Sequence, residues 1–294
     1  MACPVYLICV GATKAGTSWL FDHLAGHPDC HLRTVKELHY FDPPESGLSR
    51  MQVRANLSEI ARLTGRLSNL GPEKAAHIHR RMADMVAWNA VLDGGLDDLD
   101  AYRGYLTEGL QAQRVVADVT PSYALLPVAG LRRLLDIGAD VRVLYLMRDP
   151  VARLWSHVRM LAAREAKPGQ DVGALAGARM DRALSGEDLY FGGRGDYKNC
   201  LERLRAVFSP GQLMTMFTEE VMTLPGVARL WTFLGIGSAP VDFKNRVHEG
   251  VALPLSPAHR DRARVALRDQ YDHVGQAFPT LPSAWSTNWT GSVS

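Results

Sequence analysis

The segment GATKAGTSW, which begins at Gly11, brings together the groups that can bind a phosphate. It nearly matches the phosphate-binding P-loop, which reads Gly, four residues, Gly, Lys and then Ser or Thr. Gly16 and Ser18 have the expected spacing, but Thr17 stands where the lysine belongs, and Lys14 comes three positions earlier. The segment is therefore an altered ATP loop, a simple turn, or a loop for a different phosphate.

The context of this segment favours a phosphate loop. The apolar run VYLICVG before it predicts a buried strand, and TSWLFDHLA after it predicts a helix. Backbone N–H groups at such a junction point at one spot, where the helix dipole adds about half a positive charge. Lys14 adds a full charge, and Thr17 and Ser18 add hydroxyl donors, so the loop is chemically competent to bind a terminal phosphate.

A second candidate phosphate ligand follows another apolar run, VRVLYLM. Arg148 comes directly after this predicted strand, at the sheet edge where open α/β folds bind ligands. Ser156 follows eight residues later, and a guanidinium binds phosphate through two parallel hydrogen bonds. The alternative is that Arg148 and Asp149 form a local ion pair that caps the next helix.

The elements that must position these groups alternate along the chain. Four strands are predicted at Val5–Gly11, Arg114–Tyr123, Val141–Pro150 and Gln212–Val221. Helical patterns follow them, and the segment HRDRARVALRDQYDHVGQAF near the C-terminus predicts one more amphipathic helix. This alternation predicts an α/β fold with a central, mostly parallel sheet between helices.

The chain length predicts a single domain over residues 1–294, with a helical or irregular, substrate-facing insertion at about 43–113. The formal net charge of +2 gives no argument for nucleic acid or an anionic membrane. No apolar run approaches the ~20 residues that a membrane span needs, and the N-terminus lacks a signal-peptide pattern. The four cysteines follow no metal-ligand spacing, which predicts free thiols, no metal site and a cytoplasmic protein.

Several segments resemble a known family. KAGTSWL followed by HPDCHLRTVKELHYFD resembles the sulfotransferases that use 3′-phosphoadenosine 5′-phosphosulfate (PAPS), and LMRDPVARLWSHV is similar to their second signature. GDYKNCLERLRAVF followed by QLMTMFTEEV is similar to a later block of the same family. The KELHYFD stretch resembles bacterial and Golgi glycan sulfotransferases more than the cytosolic small-molecule enzymes. The resemblance covers most of Val5 to Gly235 and implies a P-loop-like three-layer domain.

The resemblance implies roles for the loop and for the second signature. The loop residues would hold the 5′-phosphosulfate, with Lys14 near the bridging oxygen and the sulfuryl group. These residues are Lys14, Ala15, Gly16, Thr17, Ser18 and Trp19. Arg148 and Ser156 would hold the 3′-phosphate. The resemblance implies that no metal ion is needed at this site.

The resemblance also implies a catalytic base. A glutamate in a KE segment is the base of the glycan branch, and Glu37 follows Lys36 here. His39 competes for this role, because an unperturbed histidine titrates near neutral pH. A surface pair of Glu37 with Lys36, and a structural hydrogen-bonded His39, remain the alternatives.

Four further candidate site residues lie outside the loop, the second signature and the KE segment. Glycan sulfotransferases often carry a lysine where this chain has Val119, and Asp118 beside it is a candidate to contact the acceptor or assist the base. Its alternative is a cap of the following turn. Tyr197 is a candidate neighbour of the adenine, or an ordinary packing residue. Lys244 and Arg246 lie in the segment that closes over the nucleotide in the family.

The sequence therefore predicts a PAPS-dependent sulfotransferase. It would transfer a sulfuryl group to a hydroxyl or amine acceptor and release adenosine 3′,5′-bisphosphate. A P-loop nucleotide kinase and a non-catalytic nucleotide-binding protein are the alternatives. The acceptor is not identified by the sequence.

Overall fold

A five-stranded parallel sheet forms the centre of the computed structural model, which describes residues 3–67, 70–187, 193–244, 250 and 252–289. The strand order is β2-β3-β1-β4-β5, and every neighbouring pair is parallel. The strands are β1 Val5–Gly11, β2 Cys30–His31, β3 Val115–Val119, β4 Val141–Met147 and β5 Leu213–Phe217. Because all the strands run the same way, their carboxyl ends meet at one edge.

The α-helices flank the sheet in a P-loop-like, three-layer α/β arrangement, as predicted. They are α1 Thr17–Ala25, α2 Leu48–Thr64, α3 Pro72–Gly94, α4 Leu99–Thr107, α5 Val128–Arg133, α6 Pro150–Glu165, α7 Val172–Ser185, α8 Tyr197–Val207, α9 Thr218–Val221, α10 Leu224–Leu234, α11 Pro257–Ala266, α12 Arg268–Ala277 and α13 Ser283–Ser286. Three short 3-10 helices lie at Pro44–Ser46, Pro121–Leu125 and Leu134–Ile137.

The sheet is apolar because it is covered on both faces. Every residue of β3 is buried, and β1 is buried from Tyr6 onward. Strands that are buried on both faces read as continuous apolar runs rather than as an alternating pattern. This explains why β1 and β4 could be predicted as strands from the sequence.

Three details differ from the sequence prediction. Three predicted strands end early: Arg114–Tyr123 at Val119, Val141–Pro150 at Met147 and Gln212–Val221 at Phe217. Pro121 has no N–H for a ladder and starts a 3-10 turn instead. The predicted C-terminal amphipathic helix is two helices that meet at Leu267, and β2, with two residues, is too short to show a strand pattern.

The insertion at 43–113 is largely helical. Its helices α2 and α3 pack against each other, and Asn56 donates a hydrogen bond to Asn89 between them at 2.8 Å. The middle of α3 is fixed to the segment that leads into the KELHYFD stretch, where Asp84 accepts from Arg33 at 2.8 Å and from the Thr34 N–H at 2.7 Å. We call α2 and α3 together the helical hairpin.

Two expectations from composition concern the cysteines and the membrane. Cys3, Cys9, Cys30 and Cys200 are free thiols, as predicted. Within the described ranges, none of the helices combines the length and the apolar character that crossing a bilayer requires.

Candidate active site

The glycine loop joins β1 to α1 at the carboxyl edge of the sheet. Gly16 precedes α1 with a φ of 87°, and its missing Cβ would lie 3.2 Å from the Thr218 methyl. The residue is therefore a glycine both for its left-handed backbone and for the close approach of its neighbour. In the part of the chain that the structure describes, no side chain caps α1, so its first N–H groups point toward a ligand position.

Residues after β4 and β5 hold the backbone of this loop in place. The Thr218 hydroxyl contacts the carbonyl oxygens of Ala15 at 2.8 Å and Met147 at 3.0 Å. A guanidinium N–H of Arg148 donates to the Lys14 carbonyl at 3.4 Å. The loop is thus organised by two other strand ends. Thr218 was not identified from the sequence, which placed it inside the predicted strand Gln212–Val221 rather than after the strand's end at Phe217.

The side chain of Lys14 extends from the loop toward α6. Its Nζ is 3.6 Å from Met160 Sδ, one helical turn after Ser156. Partial burial lowers the pKa of Lys14, and repulsion from Arg164, Arg148, Lys36 and Arg159 lowers it further. The lysine therefore marks a region of positive potential that an anionic ligand would relieve.

Lys36 is a second lysine at the loop, and the sequence analysis did not assign it to the site. Its Nζ lies 3.1 Å from Ser18 Oγ, 3.4 Å from Thr17 Oγ1 and 3.2 Å from Glu37 Oε1. It therefore links the phosphate loop to the candidate base. Its place directly before Glu37 was the only signal in the sequence.

The two candidate bases lie side by side. Glu37 Oε2 is 3.9 Å from His39 Nε2, and the Glu37 side chain is 45% exposed whereas that of His39 is 12% exposed. Both residues have positive φ, 61° and 56°. Hydrogen bonds from the N–H of Glu37 to the Val119 carbonyl and from that of Leu38 to Thr120 Oγ1 hold this backbone against the end of β3.

A buried acid holds the imidazole of His39. Its Nδ1 lies 2.6 Å from Asp42 Oδ2, and the Ser122 hydroxyl donates to the same oxygen at 2.7 Å. A proton on Nδ1 would bond Asp42 and leave Nε2 facing Glu37. Asp42 and Ser122 were not identified from the sequence, because they are brought together from two separate segments.

Tyr197 holds the backbone of Arg148. The Tyr197 hydroxyl donates to the Arg148 carbonyl at 2.6 Å and accepts from its N–H at 3.1 Å. Tyr197 is fully buried, and burial raises its pKa to about 12, so it remains a donor. The tyrosine therefore positions Arg148, and its place near the adenine stays a prediction.

Asp149 caps α6. The alternative reading of the sequence expected this cap together with an ion pair to Arg148, but the carboxylate bonds other partners. Its carboxylate accepts from the Ala152 N–H at 2.7 Å, the Tyr271 hydroxyl at 2.6 Å and Asn288 at 2.9 Å. These contacts leave the guanidinium of Arg148 directed at the loop. Ser156 lies half-buried farther along α6.

Asp118 does not face a ligand. Its carboxylate is 1% exposed and accepts hydrogen bonds from Tyr102 at 2.9 Å, Tyr123 at 3.0 Å and Thr120 at 2.6 Å. Burial raises its pKa to about 6. The prediction that Asp118 contacts the acceptor is therefore corrected: it joins β3 to the surrounding tyrosines.

The C-terminal segment reaches the other side of the loop. Trp19 is buried in α1, stacks on Phe243 at 6.1 Å between ring centroids, and donates to the Asp242 carbonyl at 3.4 Å. Lys244 follows on this segment and is exposed. Arg246 lies outside the described residues.

One more cation contacts the loop from the segment before α8. Arg194 Nη1 lies 3.1 Å from Thr13 Oγ1. The loop therefore receives cationic side chains from three places in the chain, at residues 36, 148 and 194. An uncapped helix start with these charges around it is suited to a ligand with more than one anionic group.

The profile described as "Sulfotransferase family" matches residues 4–236. The chain therefore belongs to the sulfotransferase family. No curated protein sequence matches it significantly.

Solved structures agree on the fold. A sulfotransferase from Alicyclobacillus acidocaldarius is 21% identical, with a TM-score of 0.63 over 97% of this chain and 100% of that one. The sulfotransferase domain of the Synechococcus PCC 7002 olefin synthase is 17% identical, with a TM-score of 0.52 over 95% and 96%.

Proposed function

We propose that this sulfotransferase takes its sulfuryl group from PAPS and transfers it to a hydroxyl or amine acceptor. The products are a sulfated acceptor and adenosine 3′,5′-bisphosphate. The observation that carries this proposal is the convergence of Lys14, Lys36 and Arg148 on the uncapped start of α1. Three cations around a helix N-terminus suit a phosphosulfate better than a neutral ligand.

The residues present fit such a donor. The 5′-phosphosulfate would lie at the loop from Lys14 to Trp19, where the N–H groups of α1 and the hydroxyls of Thr17 and Ser18 are gathered. Arg148 and Ser156 would hold the 3′-phosphate. Arg148 contacts the loop backbone, and Ser156 lies on α6 one turn before Met160, which contacts Lys14. Lys244 and Arg246 would approach from the C-terminal segment that packs on α1.

When bound, PAPS supplies a sulfuryl group on a phosphate leaving group. Lys14 and the loop donors would stabilise the negative charge that develops on the leaving phosphate. Lys36 contacts both the loop hydroxyls and Glu37, so it would lie between the leaving phosphate and the base.

Glu37 is the base that the geometry favours. Its carboxylate is exposed enough to meet an acceptor, and the acceptor proton would pass to it during attack on sulfur. His39 is the competing base and is more enclosed. Because Asp42 fixes the imidazole and its Nε2 faces Glu37, His39 would orient the glutamate or receive the proton from it.

The proposal also covers the cellular compartment and the domain organisation. We place the enzyme in the cytoplasm, because its free thiols suit a reducing compartment. We treat residues 1–294 as one catalytic domain whose insertion at 43–113 faces the acceptor.

The first test is thermal stabilisation of the purified chain by adenosine 3′,5′-bisphosphate, with ATP and magnesium in parallel. A ligand at 100 times its Kd adds about 2.7 kcal/mol, which is a readily measured shift. We expect a shift with the bisphosphate in the presence of a chelator, and its loss in Arg148→Ala. A shift with ATP and magnesium alone would contradict the proposal and favour a P-loop kinase.

A second test separates an enzyme from a non-catalytic nucleotide-binding protein. Glu37→Gln keeps the size of the side chain but removes its basic oxygen. We expect the variant to retain the bisphosphate shift and to lose transfer of ³⁵S from PAPS to a panel of hydroxyl and amine acceptors. Absence of transfer by the wild-type chain across that panel, with the bisphosphate shift intact, favours the non-catalytic alternative.

A further inference from the structure

The far end of the helical hairpin contains a groove that is separate from the candidate active site. It lies between α2 and α3 and encloses about 400 Å³. Leu63, Leu70 and Ile78 contribute its apolar lining. Leu63 is buried, whereas Leu70 and Ile78 are half-buried, so the groove exposes aliphatic surface that α2 and α3 leave uncovered.

The rim of this groove is basic. Arg62, Arg66, Lys74 and Arg81 line it together with Glu73. Arg62 and Arg81 remain 52% and 43% exposed, although both contact one carboxylate on α2. The groove therefore combines an aliphatic floor with a cationic border.

The hairpin as a whole carries a net positive charge. Residues 48–94 contain seven Lys and Arg against four Asp and Glu, a formal charge of +3. One of the four acids, Asp84, is engaged by Arg33 of the segment beneath the hairpin. The basic rim of the groove therefore lies on a positively charged element, and such a surface attracts an acidic partner.

We propose that the groove docks an acidic, amphipathic helix of a partner protein. Helices that bind in grooves present apolar residues at i, i+3, i+4 and i+7, and the half-buried Leu70 and Ile78 offer the aliphatic surface to receive them. Acidic residues on the flanks of that helix would meet Arg66 and Lys74. A sulfated or carboxylated polysaccharide satisfies the rim but has no aliphatic side chains for the floor, so the floor favours a protein.

Helix α3 connects the groove to the candidate active site. The Trp88 indole N–H donates to the Leu38 carbonyl at 3.2 Å, which fixes the near end of α3 next to Glu37 and His39. At 1.5 Å per residue, Arg81 lies about 10 Å along the helix from Trp88. If the proposed function holds, a partner seated in the groove brings its own acceptor group toward Glu37.

The test uses the full chain and a designed fluorescent peptide of about 16 residues, with leucine at the i, i+3, i+4 and i+7 positions and glutamate elsewhere. Binding is followed by fluorescence anisotropy at low ionic strength. We expect saturable binding that weakens roughly tenfold or more when Arg66→Glu and Lys74→Glu are combined. The control combines Arg54→Glu with Arg80→Glu, which changes the net charge equally on exposed hairpin positions outside the groove.

Three outcomes would overturn the docking proposal. The first is equal loss in the groove variant and its control, which would mean general attraction between charges. The second is unchanged binding of a peptide whose leucines are replaced by serine, since the floor would then contribute nothing. The third is tight binding of a heparin oligosaccharide in the groove without binding of the peptide.

The folding of both double variants is checked by circular dichroism and by stabilisation with adenosine 3′,5′-bisphosphate. The groove residues do not belong to the nucleotide site, so both variants are expected to keep the wild-type shift. Failure of the docking proposal is thereby distinguished from failure of the proposed function, which would remove the shift from the wild-type chain itself.

Discussion

At the scale of single residues, Lys14 is the side chain whose charge the proposed reaction uses most directly. We expect Lys14→Met to lower sulfuryl transfer by roughly 10²–10³-fold, because one preorganised cation at developing charge contributes about that much. Bisphosphate affinity should fall much less, since Arg148 and Ser156 would still hold the 3′-phosphate. The measurements are turnover of ³⁵S-PAPS and the thermal shift with bisphosphate.

The matched control for this change is Lys167→Met, at an exposed lysine after α6. It removes the same charge away from the loop and should leave turnover near the wild-type rate. Equal effects of the two substitutions would show that Lys14 acts only through net charge.

Asp118 gives a prediction about stability and pH. Burial holds its pKa at about 6 in the folded chain, against 3.8 for the ordinary carboxyl. Between about pH 4 and 6 the folded state therefore binds more protons than the unfolded state, and the free energy of unfolding falls as pH rises. The decline is of order 3 kcal/mol and ends above the folded pKa. Asp118→Asn cannot ionise and should lack it.

The measurement is urea denaturation at about pH 4.5, inside this window, and at about pH 7, above it. Because other groups titrate too, the relevant quantity is the difference between variant and wild type at each pH. Asp93→Asn, at an exposed position, is the control and should follow the wild type. An Asp118→Asn curve parallel to the wild type would contradict the assigned cause.

The residues that could be predicted lie in continuous motifs. Lys14, Gly16 and Arg148 were legible because each is adjacent in sequence to the strand end that positions it. Lys36 and Thr218 depend on contacts across the sheet edge, and spacing along the chain does not encode those contacts. The hydrogen bond from Tyr197 to the Arg148 carbonyl could not be predicted for the same reason, because it joins the start of α8 to the end of β4.

At the scale of elements, the phosphate loop depends on the start of α9. Thr218→Val keeps the side-chain shape but removes the hydroxyl that contacts Ala15 and Met147. We expect a loss of about 1–3 kcal/mol in the free energy of unfolding, because two buried carbonyls lose a donor. Bisphosphate should also stabilise the variant less, since the loop is less well ordered before binding.

Thr218→Ser is the informative comparison, because it retains the hydroxyl and loses only the methyl group. It should restore most of the bisphosphate shift in the same thermal assay. If the valine and serine variants behave alike, the methyl contact with Gly16 rather than the hydrogen bonds supports the loop.

The elements themselves were predictable to the extent that one local pattern defined them. Strand β1 is apolar along its length and its bounds were predicted, whereas the predictions for β3, β4 and β5 ran three or four residues past the observed strand ends. The long helices of the hairpin were not resolved from the sequence, since their exposed faces are polar and their periodicity is weak. Their packing on each other and on the Leu38 segment selects the helical state instead.

At the scale of the whole molecule, stability is distributed unevenly, and hydrogen exchange should show it. The sheet is enclosed on both faces, so its amides exchange only through global or near-global opening. In the far half of the hairpin, residues 72–78 include no buried side chain, and residues 57–64 include only Leu63. We expect these two stretches to exchange far faster than β1, β3 and β4.

Each of the two ligands should slow hydrogen exchange in its own region of the molecule, independently of the other. Adenosine 3′,5′-bisphosphate is expected to slow exchange at residues 12–19 and at the start of α6, and to leave the far half of the hairpin unchanged. The acidic amphipathic peptide should do the reverse, because helix docking adds the apolar contacts that the groove lacks. Mass-spectrometric exchange with each ligand separately and with both together measures this. Protection of the hairpin by the bisphosphate alone would instead indicate that the two sites are coupled through the segment from Arg33 to His39.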